Sequence, residues 1–150
     1  MKVVLLDAGP LGLVTNPKMS LEAAQSNQWL KTLILNNVRV LVPEIADYEV
    51  RRELLRGGKI KGLQRLDALK ASIGYLPITT AAMLKAAEFW AWARNTGQPT
   101  ADDKALDADV ILAAQCELLA QSGNEVVIAT TNVHHLTRFT TAKNWGEIVP

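Results

Sequence analysis

The stretch KVVLLDAGPLGLV, residues 2–14, follows a run of apolar residues with a single carboxylate, Asp7. The four apolar residues at 3–6 are typical of a short strand that is buried on both faces of a sheet. Gly9 and Pro10 come next, and we expect them to close the strand and turn the chain away. An acid that only needed water would sit better in a polar turn. Asp7 is therefore predicted to have a function at the end of a buried strand.

Strand and helix patterns alternate along the rest of the chain. Ser20 is a predicted N-cap for a helix that ends near residues 36–37, and Pro43 lies in the first turn of a helix that ends at residues 57–58. The other predicted elements are a strand at 38–43, a helix at 59–73, a short or edge strand at 75–78, a helix after Thr79 or Thr80, a loop at 95–103, a core helix at 107–121, a strand at 125–130 and a last strand at 147–149.

This order of elements predicts the fold class. Alternating strands and helices form a three-layer α/β/α fold with a mostly parallel central sheet, and ligands bind beyond the carboxyl ends of its strands. Asp7, Pro43 and the segment 130–132 all come directly after predicted strands. We therefore expect the functional site at this edge of the sheet.

Composition sets the size and the setting. The 150 residues suit a single domain, 1–150, and 16 basic against 15 acidic residues give a net charge of +1, which indicates no class of partner. Cys116 is the one cysteine, so no internal disulfide is possible, and its apolar neighbours predict a buried, inert thiol. Without a signal peptide or a run of about 18 apolar residues, we expect a cytoplasmic protein with no membrane segment.

Four aspartates fall within eight residues before and into the predicted core helix. Aspartates stabilise helix N-termini by about 0.3–1 kcal/mol each, which explains one or two of them. Asp109 directly precedes the apolar run VILAA and is therefore predicted to point toward the core rather than to solvent. The four residues are Asp102, Asp103, Asp107 and Asp109.

The helix after Pro43 carries Glu49 and Glu53 on the face of its apolar residues, because successive residues turn by about 100°. An alternative without function remains open. In it, Glu49 pairs with Arg52 three residues on, worth about 0.2–0.5 kcal/mol, and Glu53 is solvated.

Acids from three separate elements at one sheet edge predict a metal site. Converging carboxylates repel each other unless a cation neutralises them, and oxygen ligands suit Mg²⁺ or Mn²⁺. There is no cysteine pair, and His134 and His135 are adjacent, so the ligand spacing of zinc sites is absent.

Four blocks, in order, resemble the PIN-domain nucleases and, among them, the VapC-type toxins of bacterial toxin-antitoxin pairs. They are VVLLDAGPL (3–11), VPEIADYEVRREL (42–54), LDADVILAAQ (106–115) and VVIATTNVHHL (126–136). Each block alone is a weak signal, but their order makes the set fairly specific. The resemblance implies a PIN-like fold.

The resemblance also implies which residues form the site. Asp7, Glu49 and Asp109 match the catalytic, metal-binding acids, with Glu53 as an alternative to Glu49. Asp107 is open as a ligand, a supporting group or a helix cap. Asn132 matches the fourth ligand and offers a carbonyl oxygen without charge, so a second ion beside the first Mg²⁺ (or Mn²⁺) remains open.

The implied activity is hydrolysis of RNA phosphodiester bonds. Six basic residues and one acid in segment 50–65 predict a phosphate-binding surface, although a solvated helical surface explains them equally well. The expected partners are RNA, an antitoxin protein and a second copy in a homodimer. The predicted substrate-binding residues are Arg51, Arg52, Thr130 and His134, the last of which also suits a purely structural role.

The sequence argues against two other classes of protein and leaves a third open. Haloacid-dehalogenase-like phosphatases need a second acid two residues after the first, where this chain has Gly9. A dinucleotide-binding module needs G-x-G-x-x-G, which AGPLGLV does not match. A non-catalytic PIN-like module that binds RNA or protein stays possible because Asn132 has no charge.

Overall fold

Five strands form one parallel sheet in the computed structural model, which describes residues 1–97 and 103–150, without the side chains of 103–105. The strands are β1 (Lys2–Leu6), β2 (Arg39–Pro43), β3 (Tyr75–Leu76), β4 (Glu125–Thr130) and β5 (Ala142–Asn144). The helices are α1 (Ala8–Thr15), α2 (Leu21–Leu35), α3 (Glu44–Arg56), α4 (Ile60–Ile73), α5 (Thr80–Asn95), α6 (Asp103–Gln121) and α7 (Val133–Leu136), and a 3-10 helix spans Trp145–Glu147.

The strand order is β3-β2-β1-β4-β5, and each neighbouring pair is parallel. From β1 the chain first builds outward through β2 and β3, and then crosses to the other side of β1 to add β4 and β5. The order reverses between β1 and β4, which is the point where ligands bind in open α/β sheets. The fold thus places Asp7, at the end of β1, beside the end of β4.

Alternate strand residues face two separate cores, which gives the fold its three layers. Val4 and Leu6 of β1 pack with α1, α2 and α4 on one side, whereas Val3 and Leu5 pack with α6 on the other. Helix α5 packs against the outer side of α6 through a third apolar cluster. The three-layer α/β/α PIN-like fold predicted from the sequence is therefore confirmed, with a sheet that is parallel throughout.

Most predicted element boundaries agree with the structure. Ser20 and Thr79 cap α2 and α5 through their side chains, and β3 lies at the sheet edge, as predicted from Pro77, which directly follows it. Cys116 is buried, and burial raises the pKa of its thiol to about 11, as expected of an inert thiol. No described helix combines the length and apolar character needed to cross a bilayer.

Two local predictions are wrong. Gly9 and Pro10 do not turn the chain away but lie in the first turn of α1, where the backbone N–H groups have no helical partner and proline is tolerated. The last strand is at Ala142–Asn144 rather than 147–149, because β5 pairs with the end of β4 and Glu147 belongs to the 3-10 helix. Of the predicted loop at 95–103, residues 98–102 lie outside the described part.

Candidate active site

Two hydrogen bonds hold the carboxylate of Asp7, one from the residue that follows it and one from the end of β4. Its Oδ1 accepts from the backbone N–H of Ala8 (2.8 Å), which makes Asp7 the N-cap of α1, and its Oδ2 accepts from the hydroxyl of Thr130 (2.8 Å). The Thr130 hydroxyl in turn accepts from the backbone N–H of Asn132 (2.9 Å). Burial raises the pKa of Asp7, and the bonds from Thr130 and Ala8 oppose that rise.

The start of α1 approaches the end of β4 so closely that a side chain at residue 9 would require the side chain of Thr131 to move. A Cβ atom on Gly9 would lie 2.6 Å from Oγ1 and 3.0 Å from Cγ2 of Thr131. The absence of a side chain at Gly9 therefore brings the segment that carries Asp7 against the segment that carries Asn132. This close approach gives a physical reason for a glycine at position 9, where the sequence predicts a turn.

Glu49 and Asp109 reach the same edge of the sheet from α3 and α6. Burial, together with the charge of Asp7, raises the pKa of Glu49 to about 7, whereas nearby Arg52 lowers it. Burial, together with the charges of Asp7 and Glu49, raises the pKa of Asp109 to about 7. Because the charge of Asp7 raises the pKa of both Glu49 and Asp109, the three carboxylates lie within electrostatic reach of one another.

The other predicted acids lie outside this group. Glu53 is exposed and forms a salt bridge with Arg56, so α3 directs Glu49 rather than Glu53 toward Asp7. Asp107 is exposed and lines a cleft between α6 and α3 that Glu49 also lines. Asp103 begins α6 but its side chain is not described, and Asp102 lies outside the described residues.

The predicted substrate-binding residues are divided by the structure. Thr130 is completely buried and its hydroxyl is used by Asp7 and Asn132, so it positions Asp7 instead of contacting substrate. Arg51 bonds Asp47 and Asp67 and thereby joins α3 to α4. Arg52 is exposed on the same side of α3 as Glu49.

Of the two histidines, the structure brings His135 to the carboxylates. Its Nδ1 lies 3.6 Å from Oδ2 of Asp109, and its charge would lower the pKa of Asp7. His134 is exposed, and among the described residues it forms no salt bridge with Asp109. Sequence reasoning missed His135 because the choice between adjacent residues depends on the phase of the four-residue helix α7, which was not predicted.

Arg138 completes the surroundings of Asp109. Its charge lowers the pKa of Asp109, and its Nε donates to the backbone oxygen of His135 (3.3 Å). A basic residue six positions after Asn132 gives no recognisable motif in the sequence, so only the turn of the chain after β4 reveals its place.

The donor set fits Mg²⁺ or Mn²⁺ in type, since Asp7, Glu49 and Asp109 offer carboxylate oxygens and Asn132 an amide oxygen. Within the described part of the chain, however, no three His, Cys, Asp or Glu side chains are close enough to enclose an ion. Mg²⁺ keeps several water ligands and is often held by one or two carboxylates, so an open arrangement is compatible with it.

Comparison with solved structures finds the same fold in several other proteins. VapBC2 from Rickettsia felis, bound to a DNA fragment from its promoter, matches with a TM-score of 0.73 at 14% identity, over 95% of this chain and 98% of the other. The FitAcB structure from Neisseria gonorrhoeae matches with a TM-score of 0.70 at 20% identity, over 97% and 99% of the two chains.

VapBC-1 from nontypeable Haemophilus influenzae matches with a TM-score of 0.65 at 16% identity, over 97% of this chain and 99% of the other. This chain has the fold of these structures. No protein-family model matches the sequence, and no curated protein matches it. At identities this low, structural similarity establishes the fold alone, and the function has to be argued from the site.

Proposed function

We propose that this protein is a metal-dependent endoribonuclease of the VapC toxin type, which hydrolyses RNA phosphodiester bonds with Mg²⁺ or Mn²⁺. The observation that carries the proposal is that Asp7, Glu49 and Asp109 lie near one another where the strand order reverses, so that the charge of Asp7 raises the pKa of both other carboxyl groups. Partly buried carboxylates that repel each other cost stability, and a bound cation offsets this cost.

Each residue of the site has a proposed role. Asp7, Glu49 and Asp109 hold the ion, and the amide oxygen of Asn132 and the carboxylate of Asp107 are the further candidate ligands. Thr130 orients Asp7, and His135 and Arg138 flank Asp109. The exposed guanidinium of Arg52 is placed to bind a phosphate of the substrate beside Glu49.

The bound ion would supply a water molecule of lowered pKa and would stabilise the negative charge of the transition state. The protein's own contribution is to fix the carboxylates from three rigid elements. The buried end of β1 and the hydrogen bond from Thr130 restrict Asp7 to one orientation.

The test is cleavage of RNA with and without Mg²⁺ by the wild type and by Asp7→Asn, Glu49→Gln and Asp109→Asn. We expect cleavage to require the ion and to fall at least about 100-fold in each variant, because a metal ligand contributes more than the 10- to 100-fold of a supporting residue. Gel analysis of a labelled single-stranded RNA measures the rates.

Glu53→Gln is the matched control, because it changes the same residue type one turn along α3 where the carboxylate pairs with Arg56. It should cleave like the wild type. Equal rates in Asp7→Asn and the wild type would refute the site, and metal-independent RNA binding without cleavage would favour the non-catalytic alternative.

The proposed partners extend from the structural neighbours. The Rickettsia and Haemophilus structures are VapBC complexes, and we propose that this chain likewise binds an antitoxin and forms a homodimer. Exposed apolar side chains on α5, among them Met83, Leu84 and Trp90, offer surface for such contacts.

A further inference from the structure

A cleft beside the carboxylates is lined by Glu49, Asp107 and Arg52 and also by Tyr48, to which the proposed metal chemistry gives no role. It lies between α3 and α6, has a volume of about 330 Å³ and is continuous with the site because Glu49 lines it. Ile45, Ala108 and Ile111 give it an apolar surface. A volume near the lower end of the range for small-molecule sites suits one flat group rather than a protein helix.

Tyr48 and Arg52 form the α3 side of this cleft. Tyr48 precedes Glu49 and keeps 55% of its surface exposed, although it is a large aromatic residue. The guanidinium carbon of Arg52 lies 5.0 Å from the centre of the Tyr48 ring. Within the described part of the chain Arg52 makes no salt bridge below 4 Å, so its charge stays available to a ligand.

Aromatic rings with a nearby arginine are the means by which proteins bind single-stranded nucleic acid. Bases stack on the ring for about 1–3 kcal/mol each, and arginine binds phosphate or stacks in its turn. In duplex RNA the bases already stack on each other and offer no free face. The ring, the cation and the apolar floor thus match an unpaired nucleotide in chemistry and in size.

We propose that the cleft is a nucleotide-binding subsite in which Tyr48 stacks on an unpaired base next to the scissile phosphate, with Arg52 binding the phosphate beside it. This inference rests on the proposed function and makes its substrate single-stranded RNA. Glu49, on the same helix turn, then faces the scissile bond while the base occupies the cleft.

The test separates binding from cleavage. Short single-stranded RNAs carrying 2-aminopurine at successive positions are titrated into metal-free protein, where stacking on an aromatic ring quenches the fluorescence of the base. We expect one position to be quenched by the wild type and to lose the quenching in Tyr48→Ala. Affinity should fall about 5- to 150-fold, the ratio that corresponds to the stacking energy of one base.

In cleavage assays Tyr48→Ala should raise KM for single-stranded RNA more than it lowers kcat, and Tyr48→Phe, which keeps the ring, should recover most of the loss. Tyr75→Ala is the matched control. It removes the other tyrosine, whose ring also carries a cation, Lys70, but lies at β3 outside the cleft.

The inference is overturned if Tyr48→Ala behaves like Tyr75→Ala, or if it lowers the affinity for duplex RNA as much as the affinity for single-stranded RNA. It is also overturned if only a protein partner binds at Tyr48. Failure of the proposed function gives a different result. If the wild type does not cleave RNA, the fluorescence titration still decides whether Tyr48 stacks on a base. If the enzyme is active and Tyr48→Ala leaves both the RNA affinity and KM unchanged, only the proposed subsite is refuted.

Discussion

The hydroxyl of Thr130 links the two strands that build the site. It donates to Asp7 and accepts from the backbone N–H of Asn132 while it is completely buried, so it has one orientation. A hydrogen bond to a charged group is worth about 1.5–3 kcal/mol, and this one favours the ionised form of Asp7 that a cation needs.

Thr130→Val keeps the shape of the side chain and removes both hydrogen bonds. We expect metal affinity and kcat/KM to fall about 10- to 100-fold, as is usual when the group that orients a metal ligand is lost. Thr130→Ser should retain most activity. Calorimetric titration with Mn²⁺ and RNA cleavage rates measure both effects.

The control is Thr140→Val, since the hydroxyl of Thr140 also donates to a carboxylate, that of Glu117 (2.7 Å), outside the site. It should leave the metal dependence of cleavage unchanged. Wild-type metal affinity in Thr130→Val would mean that the Thr130 hydroxyl does not orient Asp7 for the ion.

At this scale the sequence was informative wherever an acid interrupts an apolar run. Asp7 and Asp109 each adjoin four or more apolar residues, which fixes their direction toward the sheet. Thr130 and His135 carry no such signal, because a threonine at a strand end and one of two adjacent histidines suit many roles. The sequence predicts that Arg51 binds substrate, because no local pattern reveals that Asp67, sixteen residues further on, forms a hydrogen bond with it.

Among the elements, α1 and β4 meet at the closest contact around the site. A helical glycine replaced by alanine normally stabilises a protein by up to about 1 kcal/mol. At Gly9 the sign should reverse, because the added Cβ would overlap Thr131.

Gly9→Ala is therefore expected to lower the free energy of unfolding by about 1–3 kcal/mol, the usual cost of overpacking, and to reduce cleavage by moving Asp7 from β4. Gly12→Ala in the same helix is the control, because its Cβ would meet nothing within 4 Å and should stabilise the protein. Urea denaturation measures both.

Thr131→Ala in the Gly9→Ala background removes both overlapping atoms and should restore stability and activity. If Gly9→Ala and Gly12→Ala have the same stability, the contact has no structural importance.

Element boundaries elsewhere could be predicted from helix caps and periodicity. Helix α1 could not, because Gly-Pro is locally typical of a turn and only the contact with the end of β4 explains the glycine.

For the molecule as a whole, the carboxylate group makes stability depend on pH. The pKa of Glu49 and of Asp109 is about 7 in the folded protein, above the ordinary values of 4.5 and 3.8. Between about pH 4 and 7 the folded protein thus binds more protons than the unfolded chain. The free energy of unfolding should fall as pH rises through this window and stay lower above it.

Asp109→Asn removes one of the repelling charges. Without metal it should be more stable than the wild type at pH 8, by roughly 1–2 kcal/mol after allowing for solvent screening, and should show little difference at pH 4. Mg²⁺ should stabilise the wild type at pH 8 and the variant less. Thermal melts at both pH values, with EDTA or Mg²⁺, measure this.

Glu53→Gln is again the control, because the pKa of Glu53 is lowered by Arg56 and its removal offers no gain at pH 8. A lower melting temperature for Asp109→Asn at pH 8 would contradict the proposed repulsion.

The class of fold was predictable from the sequence because alternating strands and helices allow few topologies. The strand order decides which acids lie near one another, however, and no local pattern encodes that order.

The insertion of β4 beside β1 joins residues that are 123 positions apart in the chain, as the bond from Thr130 to Asp7 shows. During synthesis, Asp7 emerges first but has no partner on its β4 side until residues 125–130 have been made. A growing or prematurely terminated chain that lacks β4 thus has neither Thr130 nor Asn132 at the site. Under the proposed function, the cell that makes this nuclease is exposed to its activity only once β4 has been made and has paired with β1.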